Sequence, residues 1–211
     1  MNDKTTLYGF DGSTYVRTVK MVMMDKDIGF DQVMVNVLEG EPRQPAHLAR
    51  HPFGKVPVLD IDGIRIRETD AICRYLDATR PTPSLVPSAP KECAKMAEAI
   101  NLVSNYGYGA MLGSAGFHLF PDFIGVTTDA AHDAQIVQAK TFLTLLMDNK
   151  GEADWLAGDA PSLADYFLAP LAFYVSITPD AEALLTEERV QGWWDRMKDL
   201  KVFKATAPDL G

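Results

Sequence analysis

Up to about residue 80 the hydrophobic pattern alternates between a two-residue and a helical period, and beyond residue 90 only helical spacing remains. Thr5 to Phe10 is a short, apolar, β-prone run that predicts a first strand, closed by a turn at Asp11-Gly12. From Ser13 onward Tyr15, Val16, Val19, Val22 and Met23 recur at three- and four-residue spacings, which predicts a helix with one buried face ending at Gly29. Ser13 or Thr14 stands where its N-cap belongs. Phe30 to Val37, with Val33, Val35 and Val37 alternating, predicts a second strand, so the first three elements form a β-α-β unit with a parallel pair. A polar, proline-bearing loop spans Glu39 to Pro45. Val58 to Ile61 and Ile64 to Ile66 flank Asp62-Gly63, a pair that favours a tight antiparallel hairpin. A helix over Thr69 to Thr79 is expected to bury Ile72, Tyr75 and Leu76.

Pro81, Pro83, Pro87 and Pro90 make Arg80 to Pro90 a semi-rigid linker. Helical patterns follow at roughly Lys91 to Phe117, Asp129 to Lys150, Ser162 to Val175 and Glu187 to Leu200. Ser162-Leu163-Ala164-Asp165 has the form of a capping box, a structural device that satisfies backbone amides at a helix start. The cluster Asn105-Tyr106-Gly107-Tyr108-Gly109 predicts a loosened or bent helix. These patterns divide the chain into a mixed α/β domain over 1–80, a linker over 81–90 and an all-helical domain over 91–211.

Arg50-His51-Pro52-Phe53-Gly54-Lys55-Val56-Pro57-Val58-Leu59 is the most distinctive stretch. Pro52 and Pro57 fix φ and remove two donors, Gly54 permits a conformation other residues avoid, and Val56 is held extended by the proline after it. Val56 cannot continue an ordinary ladder through Pro57, which leaves its amide and carbonyl for an extended peptide ligand.

Composition narrows the class. The 211 residues are 47% hydrophobic and 23% charged, as in an ordinary globular protein. No basic-then-apolar leader and no membrane-length apolar run are present, so a cytoplasmic protein is expected, with no membrane partner. Cys73 and Cys93 have neither disulfide-framework nor metal-ligand spacing and are expected to be reduced thiols. His47 and His51 are four apart, but Pro52 follows and no glutamate accompanies them, so no metal is expected. The net charge of −9 disfavours nucleic acid. It is unevenly spread: 11 Lys and Arg against 12 Asp and Glu over 1–80, and 9 against 17 thereafter. A small anion meets less repulsion on the first segment.

Pro52 to Leu59, Glu68-Thr69-Asp70-Ala71-Ile72, the proline linker, and Ser162 to Asp165 within an all-helical second half together resemble the cytosolic glutathione transferases. The likeness is to serine-type members of the phi and theta kind, including bacterial ones, and covers essentially the whole chain in order. It implies a thioredoxin-like N-terminal domain with a mixed four-stranded sheet, an all-α C-terminal domain and a homodimer. The bond before Pro57 would be cis. Val56 would pair with the cysteinyl unit of glutathione, Glu68 would hold the γ-glutamyl ammonium, and Thr69 the γ-glutamyl carboxylate. Lys55 would help hold the tripeptide and Arg43 would pair with its glycine carboxylate. Many relatives carry Asn where His51 stands and His-Lys where Pro42-Arg43 stands.

The segment Leu7 to Arg17 resembles the serine-type pattern, with Ser13 four residues before Arg17 at the opening of the first helix. Ser13 would donate its hydroxyl to the glutathione sulfur, aided by the helix N-terminus. Ser13 as a plain helix cap, and Thr14 or Tyr8 as the donor, stand as alternatives, with Arg17 structural. Phe10, Tyr106 and Met111 are the candidate second-substrate pocket, beside Tyr108 and Phe117, although their spacing equally suits a helix core. The function implied is conjugation of glutathione, as co-substrate, to a small hydrophobic electrophile. A non-catalytic binding module and a glutathione-dependent peroxidase or isomerase are the alternatives.

Overall fold

The computed structural model describes residues 5–208, which fall into two compact units, one of 5–84 with 201–208 and one of 85–200. In the first, β1 (Thr6–Tyr8), β2 (Asp31–Val33), β3 (Val58–Ile61) and β4 (Ile64–Arg67) form a mixed sheet in the order β2-β1-β3-β4. β1 runs parallel to β2 and antiparallel to β3, and β3 pairs antiparallel with β4. The β3–β4 turn is the one Asp62-Gly63 predicts: both residues take positive φ, 52° and 78°, as a two-residue turn of the right twist demands.

Two helices cover this sheet, α1 (Thr14–Asp25) and α3 (Thr69–Thr79), and they pack on each other. Leu7, Val16, Val19, Val22, Val58, Leu59, Ile72, Cys73 and Leu76 are fully buried, each large aliphatic contributing about 1.5–3 kcal/mol relative to exposure. Tyr75 does not join them; it is half-buried, and its hydroxyl donates to Asp62 at 2.8 Å, bracing the hairpin turn. Lys26 closes the base of the unit, buried against Asp77 at 2.6 Å and donating also to the Pro83 carbonyl.

Two stretches differ from expectation here. The strand predicted over Phe30 to Val37 pairs only at Asp31–Val33, because Glu41 accepts the Asn36 amide at 2.6 Å and turns the chain away; only Val35 of the later valines is buried. The loop that follows contains a 3-10 turn at Glu41–Arg43 and a short helix α2 (Pro45–Leu48). The C-terminal segment, placed by pattern in the helical domain, belongs to the first unit, where Arg17 draws it in. Arg17 is buried under the short helix at Lys201–Ala205, donates to the Phe203 carbonyl at 2.9 Å, and lies 4.1 Å over the Phe203 ring.

The second unit is helical: α4 (Pro90–Leu102), α5 (Tyr108–Leu119), α6 (Pro121–Ile124), α7 (Asp129–Lys150), α8 (Leu163–Ser176), α9 (Ala181–Leu185) and α10 (Glu188–Asp199). We label Lys201–Ala205 α11. The loosened segment is a π turn at Val103–Gly107, where a Cβ on Gly107 would lie 2.5 Å from the Phe142 ring; the glycine lets the widened turn meet α7. The helices α6, α9 and α11 span four or five residues each, too few for a periodic pattern to register.

The centre of this unit is Asp165 at the start of α8. It accepts the Ser162 amide and hydroxyl at 2.8 and 2.9 Å, the Leu156 amide at 3.0 Å and the Trp193 indole N–H at 2.9 Å, all buried. The capping box is therefore present and also ties α8 to α10. No helix among the described residues is long and apolar enough to cross a membrane.

Candidate functional site

Strand register brings three loops to one end of the sheet. Tyr8, the last residue of β1, pairs with Val58, the first of β3, which pairs in turn with Arg67, the last of β4. The β1–α1 loop with Ser13, the loop ending at Pro57, and the β4–α3 junction at Glu68-Thr69 therefore leave the sheet from the same edge. Residues more than fifty positions apart converge for that reason.

The loop before β3 is held by its own backbone and by two buried imidazoles. His47 Nε2 lies 2.8 Å from the Lys55 carbonyl, the Gly54 amide donates to the His51 carbonyl at 2.8 Å, and Arg67 donates to the Arg50 carbonyl. Gly54 has φ of 60°, and a Cβ there would lie 2.8 Å from the Pro42 carbonyl oxygen, so glycine is required on both counts. The Val56–Pro57 bond is cis, and among the described residues neither the amide nor the carbonyl of Val56 has a backbone partner. One extended residue thus offers a donor and an acceptor, the pairing an added peptide strand would use.

Glu68 stands at the N-cap of α3 with φ of 67° and ψ of 123°, a conformation costing a non-glycine residue about 1–3 kcal/mol. Its side chain is 77% exposed and lies 3.6 Å from the His51 imidazole. No side chain caps α3 among the described residues, so the amides of its first turn, beginning at Thr69, have no intrahelical partner and stand at the positive end of the helix dipole. Thr69 itself is buried. A carboxylate beside an uncapped helix N-terminus can hold both an ammonium and a carboxylate, as an amino-acid end group presents them. Arg43 and Lys55 are exposed and carry no salt bridge among the described residues, two cations available to a further carboxylate.

His47 and His51 are 3% and 2% exposed, and the Nδ1 atom of each is buried without a partner. Burial pushes the His51 imidazole below its ordinary value, reinforced by Arg67 and His47 and opposed by Glu68. It is neutral at neutral pH. Sequence reasoning treated these two as a rejected metal pair; their part in shaping the loop had no signal beyond the helical spacing.

Ser13 is the N-cap of α1, with extended backbone and an Oγ that accepts the Val16 amide at 3.4 Å. The hydroxyl proton has no acceptor among the described residues, so capping and donation are both available to the same oxygen. The loop is pinned around it. Gln32 donates to the Gly9 carbonyl at 3.1 Å and to Asp11 at 2.9 Å, and Lys20 binds Asp11 at 2.8 Å. Burial opposes ionisation of Asp11, but the hydrogen bonds from Lys20 and Gln32 hold its carboxyl below the usual range. Gly9 admits α1 to the strand, since a Cβ there would lie 2.4 Å from Val16.

The alternative donors are differently placed. Tyr8 donates its phenol proton to Asp60 at 3.2 Å and lies under Arg50, 4.6 Å from its ring centre, while Thr14 is buried in the first helical turn. The Cys73 thiol, fully buried, is pushed up by desolvation and is inert.

The second-substrate candidates separate. Phe10 is half-buried in the β1–α1 loop, where its ring lies against Gly12. Tyr106 is 65% exposed on the π turn, lining a groove of about 910 Å³ between α5 and α7 with Tyr108, Phe142 and Leu145. Met111 is fully buried and takes the core reading; Phe117 stacks on His132.

The comparisons with known proteins follow the same division. Residues 7–84 match the family model described as glutathione S-transferase, N-terminal domain, and residues 127–200 the model described as glutathione S-transferase, C-terminal domain. Among curated proteins the chain is 28% identical over 192 residues to glutathione S-transferase F10 of Arabidopsis thaliana, covering 87% of each chain. It is also 29% identical over 174 residues to maleylacetoacetate isomerase of Pseudomonas aeruginosa, covering 78% of each. Among solved structures, glutathione transferase F7 from Populus trichocarpa superposes with a TM-score of 0.87 at 26% identity, covering 96% of this chain and 97% of that one. With both domain models matched in order on a thioredoxin-like sheet and a helical second unit, the chain belongs to the glutathione S-transferase family.

Proposed function

We propose that the chain is a glutathione transferase that binds glutathione on the first unit, lowers the pKa of its thiol and adds the thiolate to a small hydrophobic electrophile. The observation that carries this reading is the unpaired Val56 backbone ahead of a cis proline, at the same sheet edge as Ser13 and the uncapped start of α3. In this reading Val56 pairs with the cysteinyl unit, Glu68 takes the γ-glutamyl ammonium and Thr69 its carboxylate. Lys55 and Arg43 serve the glycine end. The Ser13 hydroxyl donates to sulfur at the positive end of α1, and each unit of thiol pKa lowering corresponds to about 1.4 kcal/mol of thiolate stabilisation. Tyr8 is the weaker donor candidate because its proton is already held by Asp60. Phe10, half-buried in the β1–α1 loop that carries Ser13, is the first unit's candidate for contact with the electrophile.

The wider reading is a cytoplasmic, detoxifying homodimer with a glutathione domain over 1–80. Free thiols at Cys73 and Cys93 favour a reducing compartment, and exposed Phe53, Val137 and Leu145 favour pairing of chains. Light scattering should give about twice the 23.2 kDa chain mass.

The test of the central reading is retention on immobilised glutathione, elution by free glutathione, and glutathione-dependent conjugation of an aryl halide. Failure of both retention and conjugation rejects it. The likeness to a maleylacetoacetate isomerase supports a second reading in which the same thiolate adds reversibly and isomerises a double bond. Retention with isomerisation but no stable conjugate would select that reading; retention without turnover on any substrate would select a binding module.

A further inference from the structure

A second polar cluster lies wholly inside the helical unit, built on Asp180 in the turn between α8 and α9. Asp180 is buried, yet among the described residues no lysine or arginine pairs with it. Its Oδ2 accepts the hydroxyl of fully buried Ser114 at 2.5 Å and lies 2.9 Å from His132 Nε2; its Oδ1 lies 3.2 Å from His118 Nε2. Two imidazoles from two helices, α5 and α7, thus present the same ring nitrogen to one carboxylate.

We propose that His118, His132 and Asp180 form a binding site for a divalent transition-metal ion of the zinc type, joining α5, α7 and the α8–α9 turn. The three ligand atoms lie within 4.8 Å of one another. Zinc bonds of about 2.0–2.2 Å require ligand atoms roughly 3–4 Å apart, so a small rotation of the imidazoles completes the set. Two imidazoles and a carboxylate are ligands such an ion accepts, with a remaining position for water. The partners that orient the ligands are in place. Ser114 fixes the carboxylate, and the Phe117 ring stacks on His132 at 4.4 Å and 20°. The His118 side chain is 27% exposed and provides the way in. The ion would bring a fixed positive charge to a carboxylate that no lysine or arginine pairs with among the described residues. Positions 118, 132 and 180 share no short spacing, which is why the sequence led to an expectation of no metal.

The test is zinc titration of the chelator-treated full chain, in the absence of glutathione, with bound metal measured by competition against a chromophoric chelator. One equivalent per chain is expected, with a rise in melting temperature. H118A changes an exposed side chain and keeps the fold, checked by circular dichroism; it should weaken zinc at least tenfold and abolish the melting shift. D180N should do the same, and S114A should weaken zinc several-fold through the orientation of Asp180. Cobalt in place of zinc should give visible d–d bands in the wild type and not in H118A. No retained zinc, or equal affinity and stoichiometry in wild type and H118A, overturns the proposal.

Discussion

Glu68 and Asp165 are both carboxylates at the start of a helix, and their surroundings are opposite. Asp165 is fully buried and receives four hydrogen bonds from Ser162, Leu156 and Trp193, while burial still pushes its carboxyl up. Glu68 is 77% exposed, sits on a left-handed backbone and faces a single imidazole at 3.6 Å. The first carboxylate is committed to the fold. The second is held in a costly conformation with its bonding capacity unfilled, as are Val56, the first turn of α3, and the Ser13 proton at the same sheet edge. Unfilled capacity gathered at one edge marks a binding site; filled capacity in the interior marks a structural hub.

The largest effect should come from the hub. D165A leaves the Leu156 and Ser162 amides and the Trp193 indole without an acceptor, at about 1–3 kcal/mol for each buried orphan. A loss of about 3 kcal/mol or more is expected in denaturant unfolding, and an unchanged midpoint would break the contrast from that side.

S13A should come next. Removing one donor aimed at a developing anion costs roughly 10²–10³-fold in turnover, here with a higher pKa of the bound thiol. Thiolate absorbance of the glutathione complex, unchanged at neutral pH, would reassign the donor.

E68A should weaken glutathione about 10–100-fold, the scale of a charge-assisted bond of about 1.5–3 kcal/mol. Calorimetry measures it. E68G sharpens the same point: it should lose affinity equally while gaining up to about 1 kcal/mol of stability, because glycine takes positive φ without strain. A loss of stability in E68G would show the backbone to be unstrained.

The smallest effect concerns His51. Its folded-state pKa lies below the ordinary 6.5, so the folded chain binds fewer protons than the unfolded one; the stability this group contributes is present above pH 6.5 and is lost as pH falls below it. H51N, which removes the titrating group and keeps a polar side chain, should flatten stability between pH 7 and 5 in thermal melts. An identical pH profile would remove His51 as the titrating group.

Much of this contrast was readable from residue order. The hairpin at Asp62-Gly63, the helix over Thr69–Thr79, the capping box and the extended Val56 each depend on a few neighbouring residues, so local chemistry determines them. The expected strand stops at Val33 instead of Val37, because alternation cannot register Glu41 capturing the Asn36 amide from five residues away. Tyr75 was misread as core because its amphipathic position says nothing of an Asp62 within reach of its hydroxyl.

The sequence by itself determined the family and the fold class and singled out the residues of the proposed tripeptide site, since these reside in contiguous motifs. Only the tertiary structure decided which groups remain unpaired, that the C-terminal segment returns to Arg17, and that His118, His132 and Asp180 meet. The physical reason is the same in each case. Whether a polar group is satisfied depends on what the folded chain brings within about 3 Å of it, and partners 52, 62 or 186 positions away leave no mark in a local pattern.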